Sequence, residues 1–309
     1  MRIFAPTACL LAFTSQSLAA PANPSTLGSL VNSILNVKLV VFGDSFSDNG
    51  NAYDLDNKAF PVQPYDNGRF SNGPVWNEAL TGRGGLNIKL INKAYGGATT
   101  GTSTGFVTDL QGVNYAVPSL LDQVSEYSRG LSPSAGLTSI HVLFAGGNDH
   151  NNKLVKNLGN VTVPLVIANI KTSALQLIEK GAKHIVLMNV PPASKCPRLI
   201  PTPQIGAIFD SMIDAHNAAL VPLVSELKSA GAWTVSLFDT NSLVKDMAEN
   251  PSKYGFTNVK DACVDLAKGT VCGPQQEYMF WDQLHPTTRT HNIIADKMVA
   301  FLKNGGRSM

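Results

Sequence analysis

The amino-acid sequence predicts an α/β fold built on a parallel β-sheet. Short apolar runs rich in β-branched residues alternate with longer segments in which apolar residues recur every three or four positions. This alternation is typical of βαβ crossovers, which cover both faces of a parallel sheet with helices. No repeat and no Pro/Ser-rich linker divides the 309 residues. We therefore expect a single domain with five parallel strands.

Five segments have the composition of buried strands, and they end at Gly, Asn or Asp. In chain order the predicted strands are Val37–Phe42, Ile88–Ile91, Ile140–Phe144, Ile185–Met188 and Trp233–Phe238. Five longer segments have helical spacing, and several begin at proline, a residue favoured in the first turn of a helix. The predicted helices are Pro74–Leu80, Pro118–Tyr127, Pro164–Lys180, Ile205–Lys228 and Pro286–Leu302.

Three stretches between these elements are rich in Gly, Asn and Asp, and we predict that they are long loops. They are Asn49–Asn72, Thr99–Val117 and Ala248–Tyr278. In an open α/β sheet, the loops beyond the strand ends tend to form the binding or catalytic site. We therefore expect the functional site at that edge of the sheet.

The composition excludes some classes of function. Hydrophobic residues make up 44% of the chain, enough to bury a core, so disorder is excluded as the main state. The chain has 24 basic and 22 acidic side chains, a formal net charge of +2, and no window rich in Lys or Arg. We therefore expect no nucleic-acid partner. A low charged fraction of 15% suits a protein that meets neutral substrates.

The N-terminus has the three zones of a secretory signal peptide. Arg2 precedes the apolar stretch Ile3–Phe13, and Ser17, Leu18 and Ala19 follow as the small-residue zone. The apolar stretch is shorter than the roughly 20 residues of a membrane span. A buried N-terminal helix is the alternative interpretation. We expect residues 1–19 to be removed and residues 20–309 to form one secreted, monomeric domain without an integral membrane segment.

The cysteines and one sequon carry further expectations for a secreted protein. Cys9 would leave with the signal, so an odd number of cysteines would stay in the mature chain. Cys263 and Cys272 close a short polar loop, where a disulfide is plausible in an oxidising compartment. Cys196 would then be free or pair outside the chain. Asn160 opens an Asn-Val-Thr sequon that would suit surface glycosylation.

A serine, a histidine and an aspartate occupy positions typical of nucleophilic catalysis. Ser45 follows the first predicted strand, where a hydroxyl can face a crevice, although a serine there can also cap a helix. Asp282 precedes His285 by three residues, and this spacing allows both side chains to meet on one side of a turn. A serine hydroxyl is a weak nucleophile until an imidazole takes its proton, and a carboxylate orients that imidazole. We therefore predict a catalytic triad of these three residues.

Two glycine-containing blocks supply what an oxyanion would need. Gly96 and Gly97 follow the second predicted strand, and glycine lets a backbone N–H approach a ligand closely. Asn148 follows two glycines after the third predicted strand, and its amide can donate to the same oxygen. Each glycine pair alone indicates only a turn.

Together, these four blocks resemble those of the GDSL, or SGNH, hydrolase family of serine esterases and lipases, and they span residues 38 to about 300. The resemblance implies that Ser45 is the nucleophile, with Asp282 and His285 completing the triad. It also implies an oxyanion hole made by the N–H groups of Ser45 and Gly97 and the Asn148 amide. The family fold is a flavodoxin-like three-layer α/β/α sandwich with a five-stranded parallel sheet. Phe46 stands where the family name has Leu, and we expect this bulky apolar residue to keep the same packing role.

The substrate class follows only from finer resemblances. Residues 68–73 and 278–282 are similar to the plant and fungal secreted branch, which includes acetylesterases of carbohydrate esterase family sixteen. This favours short-chain, acetyl esters on carbohydrates, as does the lack of an apolar lid helix in the pattern. The alternatives are a lipase or phospholipase acting on long-chain lipids and a non-catalytic carbohydrate-binding protein on the same fold.

Other candidate residues have weaker support. A second acid/base pair at Asp149 and His150 is conceivable, but loop residues beside a functional one are more often structural. The acidic residues of the first long loop have no metal-ligand spacing, so we expect no metal and no cofactor. Asp48 would support the Ser45 turn. An acyl or sugar pocket could be lined by Tyr65, Phe70 and Trp76, and core packing is the alternative for Trp76. The histidines at positions 141, 184, 216 and 291 are expected to be structural.

Overall fold

The computed structural model describes residues 26–33, 37–155, 157 and 160–307, so the signal peptide predicted at residues 1–19, with Cys9, lies outside the described residues. Its centre is a parallel sheet of five strands. These strands are β1 (Val37–Gly43), β2 (Ile88–Asn92), β5 (Ser139–Phe144), β6 (His184–Met188) and β7 (Thr234–Phe238). Their order across the sheet is β2-β1-β5-β6-β7, and every neighbouring pair is parallel. Each predicted strand is present, with its ends shifted by one residue at most.

Helices cover both faces of the sheet. In chain order they are α1 (Leu27–Ser33), α2 (Asn51–Leu55), α3 (Trp76–Ala79), α4 (Leu120–Ser128), α5 (Pro133–Leu137), α6 (Gly147–Val155), α7 (Val163–Glu179), α8 (Pro203–Ser229), α9 (Thr240–Glu249), α10 (Pro251–Tyr254) and α11 (Thr288–Lys303). The five predicted helices correspond to α3, α4, α7, α8 and α11. The helices α4 and α11 begin two residues after the prolines that were expected to open them, because Ser119 and Thr287 cap their first turns with side-chain hydrogen bonds.

The side chains of β1 show why the fold has three layers. Leu39 and Val41 are fully buried in a core formed with α1, α3 and α11 on one face of the sheet. Val40 and Phe42 are fully buried in a second core formed with α4, α7 and α8 on the other face. Successive strand residues point to opposite faces, so a strand covered on both sides is a nearly continuous apolar run. The predicted three-layer α/β/α sandwich with a five-stranded parallel sheet is confirmed.

The three segments predicted as long loops contain short regular elements. Helix α2 lies in the first, and the antiparallel hairpin of β3 (Gly105–Thr108) and β4 (Asn114–Val117) lies in the second. The third holds α10 and two small sheets, which pair β8 (Asn258–Ala262) with β11 (Tyr278–Phe280) and β9 (Val264–Asp265) with β10 (Thr270–Val271). These two-residue to five-residue pieces are too short to show a period in the sequence.

A disulfide joins Cys263 to Cys272 in this third segment. The backbone N–H of Cys272 also donates to the carbonyl of Cys263, so the loop between them is closed twice. Cys196 is a buried free thiol among the described residues. None of the helices in the described ranges is long and apolar enough to cross a membrane.

Candidate active site

Three adjacent strands bring three of the sequence blocks to one edge of the sheet. Ser45 follows β1, Gly97 follows β2, and Asn148 lies in the first turn of α6 after β5. In the sheet, β1 has β2 on one side and β5 on the other. Its carboxyl end is therefore the point at which the strand order reverses. Crevices at such points are the usual ligand sites of open α/β sheets.

Ser45, His285 and Asp282 form a continuous chain of hydrogen bonds. Nε2 of His285 lies 2.9 Å from Oγ of Ser45, and Nδ1 of the same ring lies 2.7 Å from Oδ2 of Asp282. This geometry requires the proton on Nδ1 and leaves Nε2 to accept from the serine hydroxyl. The structure therefore brings together the three predicted residues, although Ser45 and His285 are 240 residues apart in the sequence.

The carboxylate of Asp282 accepts four hydrogen bonds. Oδ1 accepts from the backbone N–H groups of Leu284 and His285, which closes the turn between the two acid/base residues. Oδ2 accepts from His285 and from the phenol of Tyr65 at 2.7 Å. Burial alone would raise the pKa of the Asp282 carboxyl, but the charge of His285 and the hydrogen bonds from His285 and Tyr65 hold that pKa below its ordinary value. The carboxylate is therefore ionised at neutral pH.

The sequence suggested that Tyr65 could line a substrate pocket. The structure instead places its hydroxyl against Asp282. Its ring is buried between Phe60 and Trp281, and its hydroxyl donates to Asp282 from behind the triad. Burial and the negative charge of Asp282 raise the pKa of Tyr65, so the phenol stays a donor. No local pattern links these residues, because 217 positions separate Tyr65 from Asp282.

Two aromatic rings hold the imidazole of His285. The ring centroid of Phe70 lies 5.1 Å from that of His285, and the centroid of Phe46 lies 6.2 Å from it. Phe46 also packs edge-on against Phe144, which belongs to the core formed with α1, α3 and α11. Trp76 is fully buried in the same core, which favours the core interpretation of that residue.

The expected oxyanion donors are the N–H groups of Ser45 and Gly97 and the side-chain amide of Asn148. Asn148 and Ser45 line one cavity, and the Asn148 amide donates to the carbonyl of Ala98, the residue after Gly97. Gly97 has a φ of 76°, and a Cβ there would lie 2.1 Å from the Phe106 carbonyl oxygen, so only glycine fits. Within the described residues, neither the Ser45 N–H nor the Gly97 N–H has a hydrogen-bond acceptor.

Two buried carboxylates connect the loops that carry these donors. Asp48 accepts from the backbone N–H of Gly96 at 2.7 Å and from the first turn of α2, which links the Ser45 turn to the Gly97 loop. Asp149 accepts from the N–H and hydroxyl of Thr100 and from the hydroxyl of Thr102. Burial raises the pKa of both carboxyls, that of Asp48 to about 6. Asp149 thus has a structural role, as the sequence favoured, and it joins the Gly97 loop to the helix of Asn148.

Asp44 is a titratable group beside Ser45 that sequence reasoning did not single out. Its buried carboxyl accepts from the N–H of Phe46 and lines the same cavity as Ser45. Burial raises the pKa of Asp44 to about 7, although the hydrogen bond from Phe46 and the charge of His285 act in the opposite direction. The GDS run around Ser45 contained the residue, but the sequence does not show that this carboxyl is buried.

The cavity beside Ser45 has mostly apolar walls. Helix α8, the 3₁₀ turn Ala193–Lys195 and the ends of β5 and β6 form these walls. Its apolar lining consists of Phe46, Phe144, Ala145, Val190, Pro191, Ala193, Cys196, Leu199, Phe209, Ile213 and Leu284. Burial raises the pKa of the Cys196 thiol to about 12, so it contributes an uncharged surface.

Among the described residues, no hydrogen bond joins the side chains of the other histidines to the triad. His150 and His216 contact each other through ring nitrogens 3.2 Å apart, and burial lowers their pKa values to about 4 and about 3. His141, His184 and His291 are buried as well. In the described part of the chain, no three His, Cys, Asp or Glu side chains form a group that could hold a metal ion.

Several curated proteins are similar in sequence to this chain. The chain is 29% identical to the thermolabile hemolysin of Vibrio parahaemolyticus, over 86% of its own length and 64% of the hemolysin. It is 26% identical to the phosphatidylcholine-sterol acyltransferase of Aeromonas hydrophila, over 86% of its length and 90% of that protein. It is also 26% identical to GDSL esterase/lipase 5 of Arabidopsis thaliana, over 87% and 82% of the two chains.

The fold is shared with a solved acetylxylan esterase from Geobacillus stearothermophilus, a catalytic mutant. The TM-score is 0.50 at 14% identity, over 86% of this chain and 93% of that one. The model of the GDSL-like lipase/acylhydrolase family matches residues 39–298. The chain therefore belongs to the GDSL-like lipase/acylhydrolase family and is a carboxylic ester hydrolase.

Proposed function

We propose that the protein hydrolyses esters through an acyl-enzyme on Ser45. The observation that carries this proposal is the pair of hydrogen bonds from Ser45 through His285 to Asp282, at 2.9 and 2.7 Å. As Oγ of Ser45 attacks the ester carbonyl carbon, Nε2 of His285 takes the hydroxyl proton. Asp282 stabilises the resulting imidazolium. The tetrahedral intermediate collapses, the C–O bond to the alcohol breaks, and His285 returns the proton to the leaving oxygen.

Water completes the cycle in the same site. It attacks the acyl carbon of the Ser45 ester while Nε2 of His285 takes its proton. The carboxylic acid leaves as Ser45 recovers the proton from His285. In both halves, the negative charge on the carbonyl oxygen would be held by the N–H groups of Ser45 and Gly97 and by the Asn148 amide.

The Asn148→Ala variant is expected to lower kcat by about 10²–10³-fold with little change in KM, because the amide donates most strongly to the oxyanion. The measurement is steady-state hydrolysis of p-nitrophenyl butyrate. Asn304→Ala, at the exposed end of α11, is the matched control and should keep the wild-type kcat. A kcat of Asn148→Ala within about threefold of wild type would remove Asn148 from the oxyanion hole.

We propose that the acyl group is an apolar chain longer than acetyl. This was the first alternative at the level of the sequence, and the apolar walls of the cavity beside Ser45 favour it, because apolar side chains there can pack against the methylenes of an acyl chain. The Aeromonas relative is named for phosphatidylcholine, a lipid with long acyl chains. Short-chain esters of carbohydrates are the competing substrate class.

A chain-length series of p-nitrophenyl esters distinguishes the two substrate classes. Each buried methylene contributes about 0.8 kcal/mol, so kcat/KM is expected to rise by about 15-fold from acetate to butyrate. The Ile213→Phe variant, which fills the cavity, should move the preference back toward acetate. Highest activity on the acetate ester, together with release of acetate from acetylated xylan, would instead support the carbohydrate substrate.

We also propose that the chain is a secreted monomer, with residues 1–19 as a signal peptide and residues 20–309 as one catalytic domain. The order of basic, apolar and small residues at the N-terminus supports this. The disulfide between Cys263 and Cys272 is typical of oxidising compartments. Asn160 is exposed, and its sequon is our proposed glycosylation site.

A further inference from the structure

We call the cavity beside Ser45 the acyl cavity. Its rim carries exposed apolar side chains. Ile200, Ile205 and Ile208, which we call the rim isoleucines, expose 36%, 47% and 54% of their surfaces. Ile205 and Ile208 lie in the first turns of α8, four residues and one residue before Phe209, which lines the cavity. Ile200 directly follows Leu199, another lining residue. Exposed apolar residues that neighbour the lining of a cavity in this way are candidates for an interaction surface.

The exposed cation Arg198 lies on the same rim. The guanidinium of Arg198 donates to the neutral amide oxygen of Asn151 at 2.7 Å, and Arg198 lines the cavity mouth. Among the described residues, no carboxylate is paired with it. The acidic group nearest in sequence, Asp210, accepts from the backbone and hydroxyl of Ser194, and the neighbouring Lys195 pairs with Glu249. The rim therefore combines apolar side chains with an uncompensated positive charge.

We propose that the rim isoleucines and Arg198 dock the enzyme on an anionic lipid surface. This inference rests on the proposed function, because it requires an acyl chain to reach the cavity. An isoleucine beside the mouth can insert among acyl chains while Arg198 contacts headgroup anions, and an ester at the surface then enters the cavity along apolar side chains. A second copy of the chain on this surface would cover the mouth and prevent substrate entry, which argues against self-association there.

Vesicle binding of the catalytically inactive Ser45→Ala protein tests the proposal without turnover. Sedimentation with phosphatidylcholine vesicles containing phosphatidylglycerol should show binding that is weaker on phosphatidylcholine alone. The double variant Ile205→Ser/Ile208→Ser in this background should bind at least about 10-fold more weakly, because it removes two apolar side chains from the lipid contact. Arg198→Gln should lose about fivefold, and only on the anionic vesicles. The matched control is Val221→Ser, on the same helix, 60% exposed and absent from the cavity lining.

Hydrolysis of soluble p-nitrophenyl butyrate separates this proposal from the proposed function. The Ile205→Ser/Ile208→Ser variant with Ser45 intact should hydrolyse the soluble ester at the wild-type rate, and vesicle-dispersed ester more slowly. Unchanged vesicle binding of the double variant would overturn the docking surface, whatever the enzyme does to the soluble ester. A shift from dimer to monomer on mutation would also overturn it, by showing that a second copy covers the rim. Absence of wild-type esterase activity would instead contradict the proposed function.

Discussion

Replacing Ser45 by alanine is expected to lower kcat for p-nitrophenyl butyrate by about 10⁵-fold or more. The variant lacks the oxygen that lies 2.9 Å from Nε2 of His285, so no acyl-enzyme can form. The fold should survive the change, because hydrogen bonds to Asp44 from the backbone N–H groups of Phe46, Ser47 and Asp48 hold the turn. None of these bonds uses the Ser45 hydroxyl. We therefore expect an unchanged melting temperature together with the loss of turnover.

A serine-to-alanine change away from the site is the matched control for Ser45→Ala. Ser229→Ala changes an exposed serine in the last turn of α8 and should keep both activity and melting temperature. Retention of activity within about tenfold of wild type in Ser45→Ala would show that another group attacks the ester.

Replacing Asp282 by asparagine is expected to lower kcat by about 10⁴-fold. Four donors meet this carboxylate: the backbone N–H groups of Leu284 and His285 at Oδ1, and the His285 ring and the Tyr65 phenol at Oδ2. An amide has one oxygen and one NH₂ group, so either pair of donors would face another donor. The imidazole would lose the acceptor that selects its tautomer, and the turn or the Tyr65 contact would loosen.

The corresponding control is Asp296→Asn. Asp296 lies on α11, and the change removes its ion pair with Arg83. Such a pair contributes little to stability, and the change should leave kcat at the wild-type value. The measurement is again steady-state hydrolysis of p-nitrophenyl butyrate. An Asp282→Asn kcat within about tenfold of the control would show that His285 does not depend on this carboxylate.

The sheet could be predicted from the sequence because its strands are apolar on both faces. Val40 and Phe42 pack under one helical layer and Leu39 and Val41 under the other, so the strand is a nearly continuous apolar run in which Lys38 is the one charged residue. Helix α6 was not predicted. Its sequence is polar, yet Asp149, His150 and Asn152 are buried, and their partners come from distant parts of the chain.

The candidate triad could be predicted because each of its parts is local. Ser45 directly follows a strand, and the three-residue spacing of Asp282 and His285 is closed by hydrogen bonds within the turn. The supporting contacts could not be predicted in this way. The bond from Tyr65 to Asp282 and the bonds from Thr100 and Thr102 to Asp149 join segments that only the folded chain brings together.

The acyl cavity was equally hidden in the sequence. Its walls combine residues from the end of β5, the segment after β6, the start of α8 and the triad turn at Leu284. The lack of a lid helix, which favoured acetyl esters, can be judged from single segments of the sequence. The cavity depends on several segments that only the fold brings together. The structure therefore changed the substrate that we propose, although it left the proposed chemistry unchanged.

Labelling with a fluorophosphonate tests the central claim most directly, because the reagent reacts with a serine only where a base and an oxyanion hole activate it. Mass spectrometry of the digested protein should locate a single adduct on the peptide that contains Ser45, and the Ser45→Ala and His285→Ala variants should stay unlabelled. An unlabelled wild-type protein, or an adduct on a different serine, would contradict the assignment of Ser45 as the nucleophile.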